Sequence, residues 1–98
     1  MLDWGAEMSF FVDYQPKSKL WRFKEHWYGD TGSYKQGRIS ANVQDMDGDG
    51  STWSVLFDDA IIAAGEVGPY IDGTPCDDFH IAIQKVEEIL IEKGYLVP

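Results

Sequence analysis

Two runs of alternating residues around an acidic turn constrain the fold of this chain more than any other feature. In 39–44 and again in 52–57, apolar residues alternate with mostly polar ones. A period of two is typical of a β-strand that buries one face. The residues between the runs, 45–50 (DMDGDG), are rich in Asp and Gly, which favour turns. The stretch Arg38–Asp59 therefore predicts a β-hairpin.

The acidic turn also resembles the first half of an EF-hand calcium loop. The matching positions are Asp45, Asp47, Asp49 and Gly50. They would supply three oxygen ligands and the sharp bend of the loop. The twelfth position is Leu56 where an EF-hand has a bidentate Glu, and no helical pattern flanks the turn. Two interpretations stay open, a looser calcium site completed by Asp58 or Asp59 and a solvated turn that binds no ion.

The composition indicates one globular domain over residues 1–98. The chain is 44% hydrophobic and 14% aromatic, which is enough to build one core. Cys76 is the single cysteine, so a disulfide within the chain and a cysteine-based metal site are excluded. We see no basic leader followed by an apolar stretch and no run of about 18 apolar residues, so we expect no signal peptide, no membrane span and a cytoplasmic location.

Charge is distributed unevenly along the chain. The net charge is −9, from 8 basic and 17 acidic residues. Residues 1–44 carry six basic and five acidic side chains, whereas 45–98 carry two basic and twelve acidic ones. Such an acidic half repels nucleic acid and anionic membranes and attracts basic proteins.

The first part of the chain predicts a second hairpin. Met8–Tyr14 and Lys19–Tyr28 are rich in aromatic residues and are separated by a turn at Pro16. A helix is the competing interpretation of Lys19–Tyr28, and its mixture of aromatic and basic residues makes nucleic-acid binding a less favoured alternative. The following segment, 28–33, is interpreted as a turn. It contains the letters Asp-Thr-Gly of the aspartic-protease signature, but no apolar strand precedes them.

The second part predicts helices. The alanine content of Asp59–Gly65 favours a short helix, with a further strand as the alternative, and 66–73 is interpreted as a loop. A long helix is predicted for Pro75–Lys93, capped by Thr74 and ended by Gly94. Its apolar residues recur at helical spacing and are Phe79, Ala82, Ile83, Val86, Ile89 and Leu90. Its outer face would show Asp78, Lys85, Glu88 and Glu92.

Together these elements predict an α+β fold. A four-stranded, mainly antiparallel sheet of two hairpins would carry the C-terminal helix on one face. No catalytic constellation is evident. Asp77 and His80 lie at helical spacing, but two ligands are too few to hold a metal. Cys76 and His80 could form a thiolate–imidazole pair, but a packed cysteine is the favoured interpretation. We therefore expect no enzymatic activity and no cofactor other than, as the alternative, calcium.

The function that this pattern favours is that of a small acidic protein-binding module. Such a module would be an inhibitor, an immunity protein or a phage-type antagonist that mimics the charge of DNA toward a nucleic-acid-handling protein. Its partner would be a basic protein, with no direct contact to nucleic acid or membrane. The residues expected to contact the partner are Asp58, Asp59, Asp78, Glu88 and Glu92. The alternative function is a calcium-binding or calcium-stabilised domain that uses Asp45, Asp47 and Asp49.

Overall fold

The computed structural model describes residues 14–27, 29–46 and 49–98. They form a five-stranded antiparallel sheet, which is followed in the chain by a small hairpin and a C-terminal helix. The elements are β1 (Arg22–His26), β2 (Gly29–Gln36), β3 (Ile39–Asp45), β4 (Ser51–Phe57), β5 (Ala60–Val67), β6 (Tyr70–Ile71), β7 (Thr74–Pro75) and α1 (Asp78–Glu92). The order in the sheet is β1-β2-β3-β4-β5, a meander in which each strand pairs with its neighbours in sequence. A separate small hairpin, β6–β7, leads into α1. The predicted α+β class is confirmed, with five strands in the sheet where four were expected.

The predicted central hairpin is confirmed. β3 and β4 pair so that Ala41 lies opposite Val55 and Val43 lies opposite Trp53. Directly opposed residues share one face of a sheet, so the alternating apolar side chains of both strands meet. Ala41, Val43 and Val55 are almost completely buried.

The apolar stripe of α1 covers this face of the sheet. α1 contacts β3, β4 and β5. The buried core residues are Trp21, Tyr34, Ile39, Ala41, Val43, Val55, Phe79, Ala82, Ile83, Val86 and Leu90. The helical spacing therefore identified the packed side of α1 correctly. Among the described residues, no helix combines the length and the hydrophobicity needed to cross a lipid bilayer.

The helix begins three residues later than predicted. Thr74 and Pro75 form β7, opposite β6, instead of the cap and first turn of the helix. Asp77 is the N-cap, because its side-chain Oδ1 accepts a hydrogen bond from the His80 amide at 3.3 Å. The predicted end is confirmed, since Lys93 caps α1 and Gly94 follows with φ 77°.

The predicted turn at 28–33 is wrong for 29–33, which belong to β2, while Tyr28 lies outside the described residues. β2 pairs with β1 on one side and with β3 on the other. Its composition is poor for a strand, but Tyr34 is buried and Gly32 leaves room for aromatic packing. A Cβ on Gly32 would lie 3.0 Å from the ring of Phe23 and 3.2 Å from Ile83. The expected strand Lys19–Tyr28 is confirmed in its centre, whereas all of Met8–Tyr14 except Tyr14 lies outside the described residues, and Tyr14 itself is not in a strand.

The predicted short helix at Asp59–Gly65 is also wrong, because these residues lead into and form β5. Asp58 and Asp59 have φ values of 51° and 66°. Two consecutive positive values are typical of the tight two-residue turn that joins antiparallel strands. Gly65 packs under Trp53, and a Cβ there would lie 2.7 Å from the indole ring. Pairing with β4 therefore overrides the helical preference of the alanines.

A buried glutamate attaches residues 14–21 to α1. Glu87 is completely buried, and four donors converge on its carboxylate. Oε1 accepts from the Tyr14 hydroxyl at 2.7 Å and from the Lys17 amide at 2.9 Å. Oε2 accepts from the Ser18 amide at 3.1 Å and from Trp21 Nε1 at 3.0 Å. Burial and the neighbouring Glu87 carboxylate raise the pKa of Tyr14. These bonds fix the segment that precedes β1.

Candidate protein interface

Because the sheet is a meander, charges that are unevenly distributed along the sequence are also unevenly distributed across the molecule. Residues 14–44, which include β1, β2 and most of β3, carry six basic and two acidic side chains. Between Arg38 and Lys85 the chain has no Lys or Arg. That stretch forms β4, β5, the β6–β7 hairpin and the first half of α1. Because strand order follows sequence order, the basic residues lie toward β1 and an anionic surface extends toward β5.

The β4–β5 turn carries two of the predicted partner-binding residues. Asp58 is exposed but already paired, since Arg38 Nε donates to its Oδ1 at 2.7 Å and Arg38 Nη2 contacts its Oδ2. The hydrogen bonds to Asp58 raise the pKa of Arg38. Arg38 also lies 5.0 Å from the centre of the Phe57 ring. Asp59, the next residue, is exposed.

The end of α1 brings two further predicted residues toward this turn. Phe57 and Tyr95 are in ring contact with centroids 6.0 Å apart, which places the C-terminal end of α1 beside the end of β4. Glu88 and Glu92 are exposed on the last two turns of the helix. We call Asp58, Asp59, Glu88 and Glu92 the acidic end. Within the described part of the chain, Asp58 is the member of the acidic end that has an ion-pair partner.

The fifth predicted residue, Asp78, lies at the opposite end of the helix. Its Oδ1 accepts a hydrogen bond from the Ser51 hydroxyl at the start of β4. Asp77 beside it caps α1 and binds His80, whose Nδ1 lies 2.7 Å from Asp77 Oδ2. The ring contact therefore places the end of α1 beside the turn that carries Asp58 and Asp59, whereas Asp78 joins the start of α1 to the sheet.

The acidic turn after β3 is described in part. Asp45 ends β3 and is half-buried, Asp49 is exposed, and Asp47 lies outside the described residues. Among the residues that are described, no three His, Cys, Asp or Glu side chains form a group that would hold a metal ion. The backbone requires glycine at position 50, because φ there is 93° and a Cβ would clash with the carbonyl oxygen of Val67. This glycine lets the turn pack against the end of β5.

The sequence did not predict that β5 is an edge strand. In the described part of the chain, β5 is the last strand of the sheet, and we call its outer side, on which none of the described strands pairs, the free edge. The strand has eight residues and no Pro or Lys. Ile61 is 65% exposed and Ile62 is 43% exposed. A signal in the sequence could have predicted this strand. The Asp58-Asp59 pair favours a tight turn, and the β-branched residues Ile61 and Ile62, which follow shortly after it, favour a strand.

A cleft of about 440 Å³ opens between the start of the chain's described part, β1, β2 and α1. Its lining includes Phe23 and Phe79, with Glu25 and Asp30 directly opposite each other in the β1–β2 pairing. His80 also lines it and is held by Asp77. The cleft therefore adds two carboxylates on the β1 side of the molecule without forming an acid–base arrangement with a nucleophile.

Cys76 lies just before α1 and has the properties of a packed thiol. Burial raises its pKa, and the carboxylates of Asp78 and Asp77 raise it further. The thiol donates to the Gly68 carbonyl at 3.4 Å. The raised pKa disfavours the alternative of a thiolate paired with His80, since Cys76 precedes the helix and lies near two acids. A thiol held in its neutral form is a poor nucleophile.

Comparison of the chain with models of protein families, with curated proteins and with solved structures gave no match.

Proposed function

We propose that this protein is a small acidic protein-binding module without enzymatic activity, and that it binds a basic protein through its acidic end. The observation that carries the proposal is the absence of Lys and Arg between Arg38 and Lys85, a stretch that includes β4 and β5 at one edge of the sheet. Asp59 is exposed in this stretch, and Glu88 and Glu92 are exposed on the helix after it.

The expected mode of binding is electrostatic. A surface of one sign accelerates encounter with an oppositely charged partner and selects against partners of the same sign. Carboxylates at the acidic end would occupy a groove in which the partner normally holds phosphate groups. An inhibitor, an immunity protein or a phage-type antagonist that mimics DNA charge would act in this way. The same charge disfavours direct binding to nucleic acid.

The proposal that the protein is not an enzyme is supported by the roles of its reactive groups. His80 and Asp77 are used together at the cap of α1. The Cys76 thiol has a raised pKa. These side chains stabilise the start of the helix, and this explains their positions without a catalytic role.

Charge reversal tests the proposal. The wild type would be immobilised and used to capture proteins from a cell extract, beside the variants Glu88→Lys and Glu92→Lys. Glu25→Lys is the matched control, because it makes the same change in net charge at an exposed position on β1. We expect the wild type and Glu25→Lys to retain the same basic proteins, and both helix variants to lose them. Retention should also fall as salt is added, since exposed charges are screened beyond about 10 Å at 0.1 M salt. An identical set of proteins on all four baits, or a set that is not basic, would contradict the proposal.

A further inference from the structure

The free edge of β5 exposes hydrogen-bonding groups of the backbone. A strand at the edge of a sheet leaves a row of amide and carbonyl groups without strand partners, and proteins usually protect it with Lys, Pro or a short strand. β5 has no Lys or Pro and is eight residues long, no other strand of the described residues pairs with its outer side, and two isoleucines are exposed along it. Its one irregularity is a bulge, where Leu56 pairs with Ile61 and Val55 pairs with Ala63, so that Ile62 is the extra residue. The run from 63 to 67 is regular.

Acidic side chains predominate around β5, where the one Asp that is already paired is Asp58, with Arg38. Asp58 and Asp59 precede the strand, Glu66 lies near its end, and Asp72 lies in the next turn. Antiparallel pairing of β5 with a second β5 would bring Asp59 of each copy toward Glu66 of the other. Parallel pairing would bring like residues side by side. Both arrangements oppose like charges, which destabilises a strand pair, whereas a segment that carries Lys or Arg would be attracted.

We propose that β5 receives an extended segment of the basic partner as a sixth strand. The backbone of this segment would bond to the edge of β5. Its apolar side chains would cover Ile61 and Ile62, and its cationic side chains would pair with Asp59 and Glu66. Main-chain bonds give affinity in this kind of recognition, and alternate side chains give selectivity. The inference rests on the proposed function, because it takes its partner's charge from there.

A peptide of alternating lysine and valine, as long as β5, is the probe. Its control is the same peptide N-methylated at every second amide, which keeps the charge but removes the donors that face the strand. The test variant is Ile61→Lys, which adds a protective lysine at an exposed position. Ile91→Lys is the matched control, because Ile91 is 47% exposed on α1. Binding would be measured by calorimetry, and the mass of the free protein by light scattering.

We expect the wild type and Ile91→Lys to bind the unmodified peptide equally. Ile61→Lys should bind at least about tenfold more weakly, because it places like charge at the edge, and methylation of the peptide should have a similar effect. Equal binding of both peptides, or equal binding by Ile61→Lys, would overturn the edge inference and leave the proposed function standing. So would failure of the wild type to bind either peptide while it still captures basic proteins through Glu88 and Glu92. A larger mass of the free protein that Ile61→Lys abolishes would overturn the inference in favour of a second copy at β5. Capture of no basic protein at all would contradict the proposed function itself.

Discussion

Replacement of Glu87 by glutamine should destabilise the protein more than any other change of equal size on α1. The carboxylate has two oxygens, and each accepts two of the four hydrogen bonds from residues 14–21. Glutamine keeps one acceptor oxygen and replaces the other by an NH₂ group. That group would point its hydrogens at two of the four donors. The Tyr14 hydroxyl can rotate and accept from it, but the three N–H donors cannot, so at least one bond is lost and at least one N–H donor is left unsatisfied.

The magnitude follows from the number of bonds. A hydrogen bond to a charged group contributes about 1.5–3 kcal/mol, so the loss of at least one predicts a decrease of at least about 1.5 kcal/mol in the free energy of unfolding. This is an appreciable part of the roughly 5–15 kcal/mol that stabilises an ordinary domain. In a domain of this size, each kcal/mol shifts Tm by about 4–8 °C, so we expect Tm to fall by at least about 6 °C.

The assay is urea unfolding followed by tryptophan fluorescence, with Glu88→Gln as the control. Glu88 is the next residue on the helix but is exposed, so its substitution should change stability by no more than about 0.5 kcal/mol. The double-mutant cycle of Glu87→Gln with Trp21→Phe should give a coupling free energy of about 1 kcal/mol or more, because Trp21 Nε1 donates to the carboxylate. A loss below about 1 kcal/mol for Glu87→Gln, or additive effects in the cycle, would refute the assignment of Glu87 as the anchor of residues 14–21.

Three further predictions concern the hairpin turn, the phenol and the acidic loop. Asp59→Gly should raise the free energy of unfolding in urea by about 0.5–1 kcal/mol, because Asp59 has a positive φ, which glycine adopts without strain. The same change should weaken capture of basic proteins. A less stable variant would contradict the assigned turn. The folded state raises the pKa of Tyr14 above its usual 10.0, so its contribution to stability is fully present below about pH 10 and is lost as pH rises above it. Urea midpoints measured between about pH 8 and about pH 11 should therefore fall less steeply in Tyr14→Phe than in the wild type, and parallel curves would be evidence against this shift. The calcium alternative predicts that millimolar calcium, but not magnesium, raises Tm relative to EDTA, and that Asp49→Asn removes the rise; equal Tm in all three conditions would leave the loop as a solvated turn.

The sequence predicted the elements whose pattern is local. The alternation in 39–44 and 52–57 gave the β3–β4 hairpin, because burial of one face of a strand requires a period of two. The helical spacing from Phe79 to Leu90 gave the packed side of α1, and Gly94 gave its end. The charge pattern predicted that Asp59, Glu88 and Glu92 are acidic residues of the surface, and all three are exposed. It did not predict where they lie relative to one another.

The sequence misassigned the elements whose structure depends on partners. The composition of 29–36 is that of a turn, and the alanines of 60–64 favour a helix, yet both segments are strands because each pairs with a neighbour. In both, a glycine makes space for an aromatic ring or an apolar side chain that packs over it. Such contacts are not visible in a short window of sequence, since the ring and the glycine belong to different strands.

The sequence by itself therefore determined the central hairpin, the amphipathic helix and the total charge of each half. The tertiary structure decided the position of β5 in the described sheet, the placement of the end of α1 beside the β4–β5 turn, and the burial of Glu87. The physical reason is the range of the interactions. Periodicity and turn preference act over a few residues, whereas Glu87 is satisfied by Trp21, 66 positions away in the chain, and the meander alone turns charge along the sequence into charge across a surface.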